Sequence, residues 1–153
     1  MTMIIAVIGA GSCSQEIYRM AEEVGKLIAM NGAVLLTGGL GGVMEAASKG
    51  TQEEGGITVG ILPGLSKDEA NRYVDIPIAT GLSHARNAII ARSADALIAI
   101  AGEYGTLSEI AIALKLGKPV IGINAWDTIE GVIHVTTPAE AIKKISEFIT
   151  LRE

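Results

Sequence analysis

Apolar residues along this chain gather in short unbroken runs, separated by stretches in which they recur at helical spacing. The run over residues 3–8 does not alternate with polar residues, the pattern of a parallel strand covered on both faces. After it, Ile17, Met20, Ala21, Val24, Leu27 and Ile28 repeat with a helical period; Ser14 or Ser12 is placed to cap this helix and Asn31-Gly32 to stop it. The alternation continues to the end of the chain. Further strands are predicted over 33–37, 57–62, 74–79, 96–100, 120–123 and 132–135, and further helices over 43–54, 83–93, 106–116 and from Pro138 to about Leu151. Residues 65–73 are polar and read as a loop or short helix, with Ser66 ahead of Asp68 and Glu69 in capping fashion. The expected fold class is α/β: a Rossmann-like three-layer α/β/α sandwich on a parallel sheet of about seven strands, one domain over residues 1–153. In such a sheet ligands gather at the carboxyl ends of the strands.

Composition narrows what the ligand is. The 153 residues are 49% hydrophobic and 19% charged, ample for a packed core, yet no apolar run approaches the roughly 18 residues of a membrane span. The first Lys or Arg is Arg19, so the apolar start lacks a basic leader and reads as a core strand; the expected compartment is the cytoplasm, with no membrane partner. A net charge of −5 disfavours nucleic acid. One cysteine, Cys13, and two histidines, His84 and His134, offer no disulfide and no thiolate metal set, so no metal and no resident cofactor are expected. The informative residue is glycine, present 19 times and concentrated where apolar runs give way to helical patterns. Those are the places where α/β proteins hold phosphate.

Three such junctions matter. Gly9-Ala10-Gly11-Ser12-Cys13-Ser14 resembles the dinucleotide fingerprint but has Ser14 at the third glycine, and the second strand ends in Thr37-Gly38-Gly39 without the acidic residue that binds an adenosine ribose. This disfavours NAD. No Walker-type loop exists, because Gly117-Lys118 is followed by Pro119. What remains is TGGLGGVMEAA over 37–47 and AGEYGTLSEIA over 101–111. Glycine in such loops lets backbone approach a ligand, and the N–H groups of the following helical turn face an anion. Gly11, Ser12, Gly38, Gly39, Gly41, Gly42, Gly102, Gly105 and Thr106 are the candidate phosphate contacts.

The segment from Thr80 to Ile123 carries a resemblance. Arg86-Asn87, then Ala94-Asp95 before a strand, then Ala101-Gly102-Glu103-Tyr104-Gly105-Thr106-Leu107-Ser108-Glu109 at a helix start follow the order of motifs in the LOG-like family, long labelled possible lysine decarboxylases. That family's pattern is an Arg-Lys pair, an Ala-Asp, and P-G-G-x-G-T-x-x-E. The loop GGLGGVMEAA also matches the family's G-G-G-x-x-G-x-M. The resemblance covers most of residues 3–123, and the subgroup it looks closest to includes an algal molybdenum-cofactor carrier.

The resemblance implies a nucleoside 5′-monophosphate or similar phosphorylated ligand, and in one branch cleavage of its N-glycosidic bond to a base and ribose 5′-phosphate. It makes Glu109 the catalytic carboxylate and Arg86 its partner. Glu109 lies three residues after Thr106 and so shares its helix face, one turn inside the anion-binding end. Two departures bear on this: Ala101-Gly102-Glu103 replaces Pro-Gly-Gly, setting a carboxylate in the phosphate loop, and Asn87 replaces the family's lysine. These fit a carrier or sensor at least as well as a phosphoribohydrolase, and the alternative is a non-catalytic carrier of a phosphorylated pterin, the molybdenum cofactor. Small size with a high apolar fraction, and the habit of relatives, lead us to expect a homo-oligomer, dimer or tetramer, with the helix over 83–93 at its interface.

Overall fold

A computed structural model describes residues 1–151. Among them, seven strands form one sheet: β1 (Ile4–Gly9), β2 (Val34–Thr37), β3 (Thr58–Leu62), β4 (Ile76–Ala79), β5 (Ala96–Ile100), β6 (Val120–Ile123) and β7 (Ile133–Val135). Every adjacent pair is parallel, in the order β4-β3-β2-β1-β5-β6-β7. Five α-helices join them: α1 (Gln15–Met30), α2 (Val43–Glu53), α3 (Arg86–Ser93), α4 (Tyr104–Lys115) and α5 (Pro138–Thr150). This is the Rossmann-like α/β arrangement that the alternation of patterns predicts.

The unbroken apolar runs follow from burial on both faces of the sheet. Ile5 and Val7 of β1 and Ala96, Ile98 and Ile100 of β5 pack toward α1, α2 and α5, against Val24, Ile28, Ala47 and Ile145. Their neighbours Ala6, Ile8, Leu97 and Ala99 point the other way, against Ile90 and Ala91 of α3 and Ile110 and Ala113 of α4. On the first face α1 and α2 lie so close that a Cβ at Gly25 or Gly50 would overlap the facing helix backbone. Lys26 and Lys49 bridge Glu22 and Glu53 across that contact. The two helices thereby fix the loops that follow β1 and β2.

Strand order decides where a ligand can enter. From β1 the chain steps through α1 to β2 on one side, and only after α3 does it return to form β5 on the other side of β1. Loops leaving β1 and β5 diverge to opposite faces, which opens a crevice at their carboxyl ends.

Several boundaries differ from the sequence expectation for local reasons. Of the two serines expected to cap α1, Ser14 does so, its Oγ accepting the Ile17 N–H at 3.3 Å, whereas other boundaries shift. The fourth strand begins at Ile76 rather than 74, because the Val74 N–H turns back to the Asn71 carbonyl and Asp75 accepts the Thr58 N–H and hydroxyl. The helix expected over 83–93 opens with a three-ten turn, Ser83–Ala85, entered through a positive φ of 52° at Ser83. Helix α4 starts at Tyr104, which brings Gly105 and Thr106 into its first turn. Asp95, just ahead of β5, accepts the Ile4 N–H at 2.8 Å and pins the start of β1 beside β5.

Candidate functional site

A cleft of about 430 Å³ opens at the carboxyl ends of β1, β2 and β5, a volume within the usual range for small-molecule sites. Its floor is Val7, Ile8 and Gly9 at the end of β1, and its walls come from Ala10, Gly11 and Ser12, from Gly38 and Met44, from His84, Arg86 and Asn87, and from Glu103, Gly105, Thr106 and Glu109. Residues nearly a hundred positions apart meet because β1 and β5 are neighbours in the sheet.

The candidate glycines divide into two groups. Gly11, Gly38 and Gly105 line the cleft together with Ser12 and Thr106, whereas Gly39, Gly41, Gly42 and Gly102 do not. Gly11 has open space where a Cβ would stand, so its backbone is accessible. Gly39 turns toward β3: its N–H donates to Thr37 Oγ1 and its carbonyl accepts the Asn71 N–H. Gly42 caps α2 with φ +61°, and a Cβ there would overlap the Ala10 carbonyl; Gly41 stands against the Gly11 carbonyl. These two let the β2 loop press against the β1 loop. Gly102, with φ +108°, stands where a Cβ would overlap Thr106.

Helix α4 aims its N-terminus at the cleft. The N–H groups of its first turn have no carbonyl partner within the helix, and the side chain of the cap residue, Glu103, makes no capping hydrogen bond. Thr106 is 4% exposed and adds a hydroxyl beside them. The loop leading in is held by Trp126, whose Nε1 donates to the Ala101 carbonyl at 2.9 Å; Ala101 itself has φ +52°.

Arg86 and Glu109 both reach the cleft, from the starts of α3 and α4. Arg86 Nη1 donates to the Ile61 carbonyl at 2.8 Å, and its Nε is buried without a partner among the described residues. Burial lowers the basicity of this guanidinium, and the Glu109 charge opposes that effect. Glu109 is 8% exposed, and burial pushes its carboxyl up to about 8 while Arg86 pulls it down. The two groups sense each other's charge without closing an ion pair. Each retains hydrogen-bonding capacity for a third party in the cleft.

His84, beside Arg86 at a helix start, Asn87 and Glu103, the two departures from the family pattern, and Met44 also line the cleft. Asn87 is 6% exposed; its amide donates to the Ser108 hydroxyl at 3.1 Å and to the Gly105 carbonyl at 3.4 Å. Adjacency to Arg86 was the available signal for it. Met44 follows Val43 at the start of α2 and fits a core pattern, so nothing in its spacing separates a core position from a cleft wall. Among the described residues no three His, Cys, Asp or Glu side chains converge as a metal set, and no helix is long and apolar enough to cross a membrane.

Comparison with known proteins follows the same lines. The model of the SLOG cluster4 family matches residues 2–148. The cytokinin riboside 5′-monophosphate phosphoribohydrolase of Mycobacterium tuberculosis is 32% identical over 76% of this chain and 67% of its own length. A rice relative matches 76% of this chain, which spans about half of that relative, 52%. The molybdenum cofactor binding protein of Rippkaea orientalis superposes with a TM-score of 0.91 at 40% identity, covering 97% of this chain and 98% of its own. The molybdenum cofactor carrier protein of Chlamydomonas reinhardtii gives 0.90 at 38% identity, covering 98% and 99%.

Proposed function

The chain belongs to the SLOG cluster4 family, and we propose that it binds a small phosphorylated ligand, a nucleoside 5′-monophosphate or a nucleotide-like molecule, in the cleft between β1 and β5. The observation that carries this reading is the convergence of the uncapped first turn of α4, the Thr106 hydroxyl and the open backbone of Gly11 on one cavity with Arg86. Phosphate is the anion that suits it. Backbone N–H groups at a helix start supply donors and a positive end of the helix dipole without the cost of ordering long side chains.

Beyond the phosphate lie Arg86 and Glu109, which support hydrolysis of the N-glycosidic bond. In that reaction the bond from C1′ to the base breaks, the base leaves with the electron pair and a proton, and water adds its oxygen to C1′. Positive charge develops on the sugar as the base departs. A buried carboxylate is poorly solvated, so it gains most from a cation forming beside it. Arg86 keeps part of the Glu109 population ionised and holds the site's shape through its bond to Ile61.

A second reading, retention of a phosphorylated pterin without turnover, is supported by the near-complete overlap with two molybdenum-cofactor proteins and by Asn87 and Glu103. The shared claim is phosphate recognition, and calorimetric titration with AMP and with adenosine tests it. AMP binds more tightly if the reading holds; equal affinities end it. Chromatography for free base and ribose 5′-phosphate then separates enzyme from carrier.

A further inference from the structure

Asn87 stands where the LOG-like pattern has lysine, and its hydrogen bonds fix which way its amide points. The Ser108 hydroxyl donates its single proton to the Gly105 carbonyl at 2.6 Å, so toward Asn87 it can only accept. The carbonyl of Gly105 can only accept as well. The group facing both must therefore be the Asn87 NH₂, at 3.1 and 3.4 Å, and the amide cannot be turned over without setting oxygen against oxygen. Both donors are committed inside the protein. What is left is Oδ1, which receives no hydrogen bond from any described residue and belongs to a side chain lining the cleft.

An acceptor in that place discriminates. A lysine would add positive charge and donate; Asn87 adds no charge and accepts. Oδ1 cannot pair with a phosphate oxygen, which is itself an acceptor. Yet it is held within two hydrogen bonds of the α4 N-terminus, where the phosphate is to sit. In a nucleoside 5′-monophosphate, the donors that close to the phosphate are the ribose hydroxyls, whereas those of the base lie farther off.

We propose that Asn87 is a specificity-determining residue whose Oδ1 accepts a hydrogen bond from a ribose hydroxyl of the bound nucleotide, so that the site selects ribonucleotides over their deoxy counterparts. This rests on the phosphate-binding reading above. An acceptor that the bound ligand covers without giving it a donor costs affinity, so the deoxy ligand suffers at this one position.

The test is calorimetric titration of the intact protein with AMP, 2′-deoxy-AMP and 3′-deoxy-AMP. Wild type is expected to bind AMP on the order of tenfold more tightly than at least one deoxy form. Asn87→Leu should lower AMP affinity to about that of the disfavoured deoxy form and leave the latter within about threefold; Asn87→Ala gives the same comparison should leucine disturb folding. Ser108→Ala removes one tether of the amide while leaving Oδ1 in place, so it should retain the preference for AMP. A purely structural role for Asn87 would instead weaken all three ligands equally. If wild type binds AMP and both deoxy forms alike, or if Asn87→Leu keeps the preference, the inference is overturned while phosphate binding stands. If AMP does not bind at all, the reading beneath it falls too.

Discussion

Gly38 leaves the space that the guanidinium of Arg86 occupies: a Cβ at residue 38 would overlap Nη1 and crowd the Met44 sulfur. The end of β2 and the start of α3 are thus fitted to each other across the cleft, and the Arg86 bond to Ile61 completes the fit. Gly38→Ala should displace the guanidinium and reduce AMP affinity on the order of tenfold, the loss expected when a charged donor leaves its partner. Calorimetry measures it. An unchanged affinity would show that Arg86 does not face the ligand.

Glu103 sets a carboxylate at the mouth of the cleft, ahead of the α4 N–H groups. It is exposed, so its repulsion of a phosphate is screened and small. Glu103→Gln should tighten AMP binding by roughly two- to fivefold at low salt, and the gain should fade as salt approaches about 0.5 M. A gain that ignores salt would point to a change in loop shape instead of charge.

The sequence made the sheet legible because burial on both faces leaves an unmistakable mark: the runs through Ile5 to Ile8 and Ala96 to Ile100 contain no polar residue to blur them. Thr106 and Glu109 were placed on one face by helical spacing alone. Arg86 was not reachable this way, because its approach to Glu109 depends on α3 and α4 packing side by side on β1 and β5, which no local pattern encodes. The glycine loop 38–42 looked uniform in sequence yet splits in space, Gly38 facing the cleft and Gly42 facing the Ala10 carbonyl. Asn87 read only as a missing positive charge; its amide tether to Gly105 and Ser108 exists only once the two helices meet.

Ile76 and Ile78 of the edge strand β4 are 48% and 44% exposed, and Leu82 beside them is 50% exposed. In register with Val59 and Ile61, both isoleucines point to the face that α3 and α4 cover. The link from β3 to β4 contains only the three-ten turn Lys67–Glu69, so no crossover helix reaches them. Pro77 between them lacks an N–H and discourages strand addition at the edge. We expect a homo-oligomer, dimer or tetramer, that covers this patch together with α3. Light scattering should show it at micromolar concentration, and Ile78→Lys should shift the mass toward monomer with little change in Tm. A monomeric wild type would refute the expectation.

Glu109 ties stability and turnover to the same proton. Its carboxyl lies near 8 in the folded protein against 4.5 for an ordinary glutamate, so between those values the folded state holds a proton that the unfolded chain has released. The Glu109 contribution to stability is therefore greatest below about 4.5 and falls as pH rises toward about 8, by at most about 5 kcal/mol. Glu109→Gln should abolish that slope and melt at a higher temperature than wild type at pH 9. Near neutral pH wild-type Glu109 is mostly a neutral acid that glutamine imitates, so the variant should bind AMP within a few-fold of wild type. If the protein is a phosphoribohydrolase, base release should climb with pH to a plateau above about 8, because only the carboxylate complements the cationic sugar, and Glu109→Gln should lower it by roughly a hundredfold or more. If it is a carrier, no nucleoside monophosphate will yield free base, and the variant will alter only how long the ligand stays. Turnover that persists undiminished in Glu109→Gln would remove this carboxylate from the mechanism, whatever the stability profile shows.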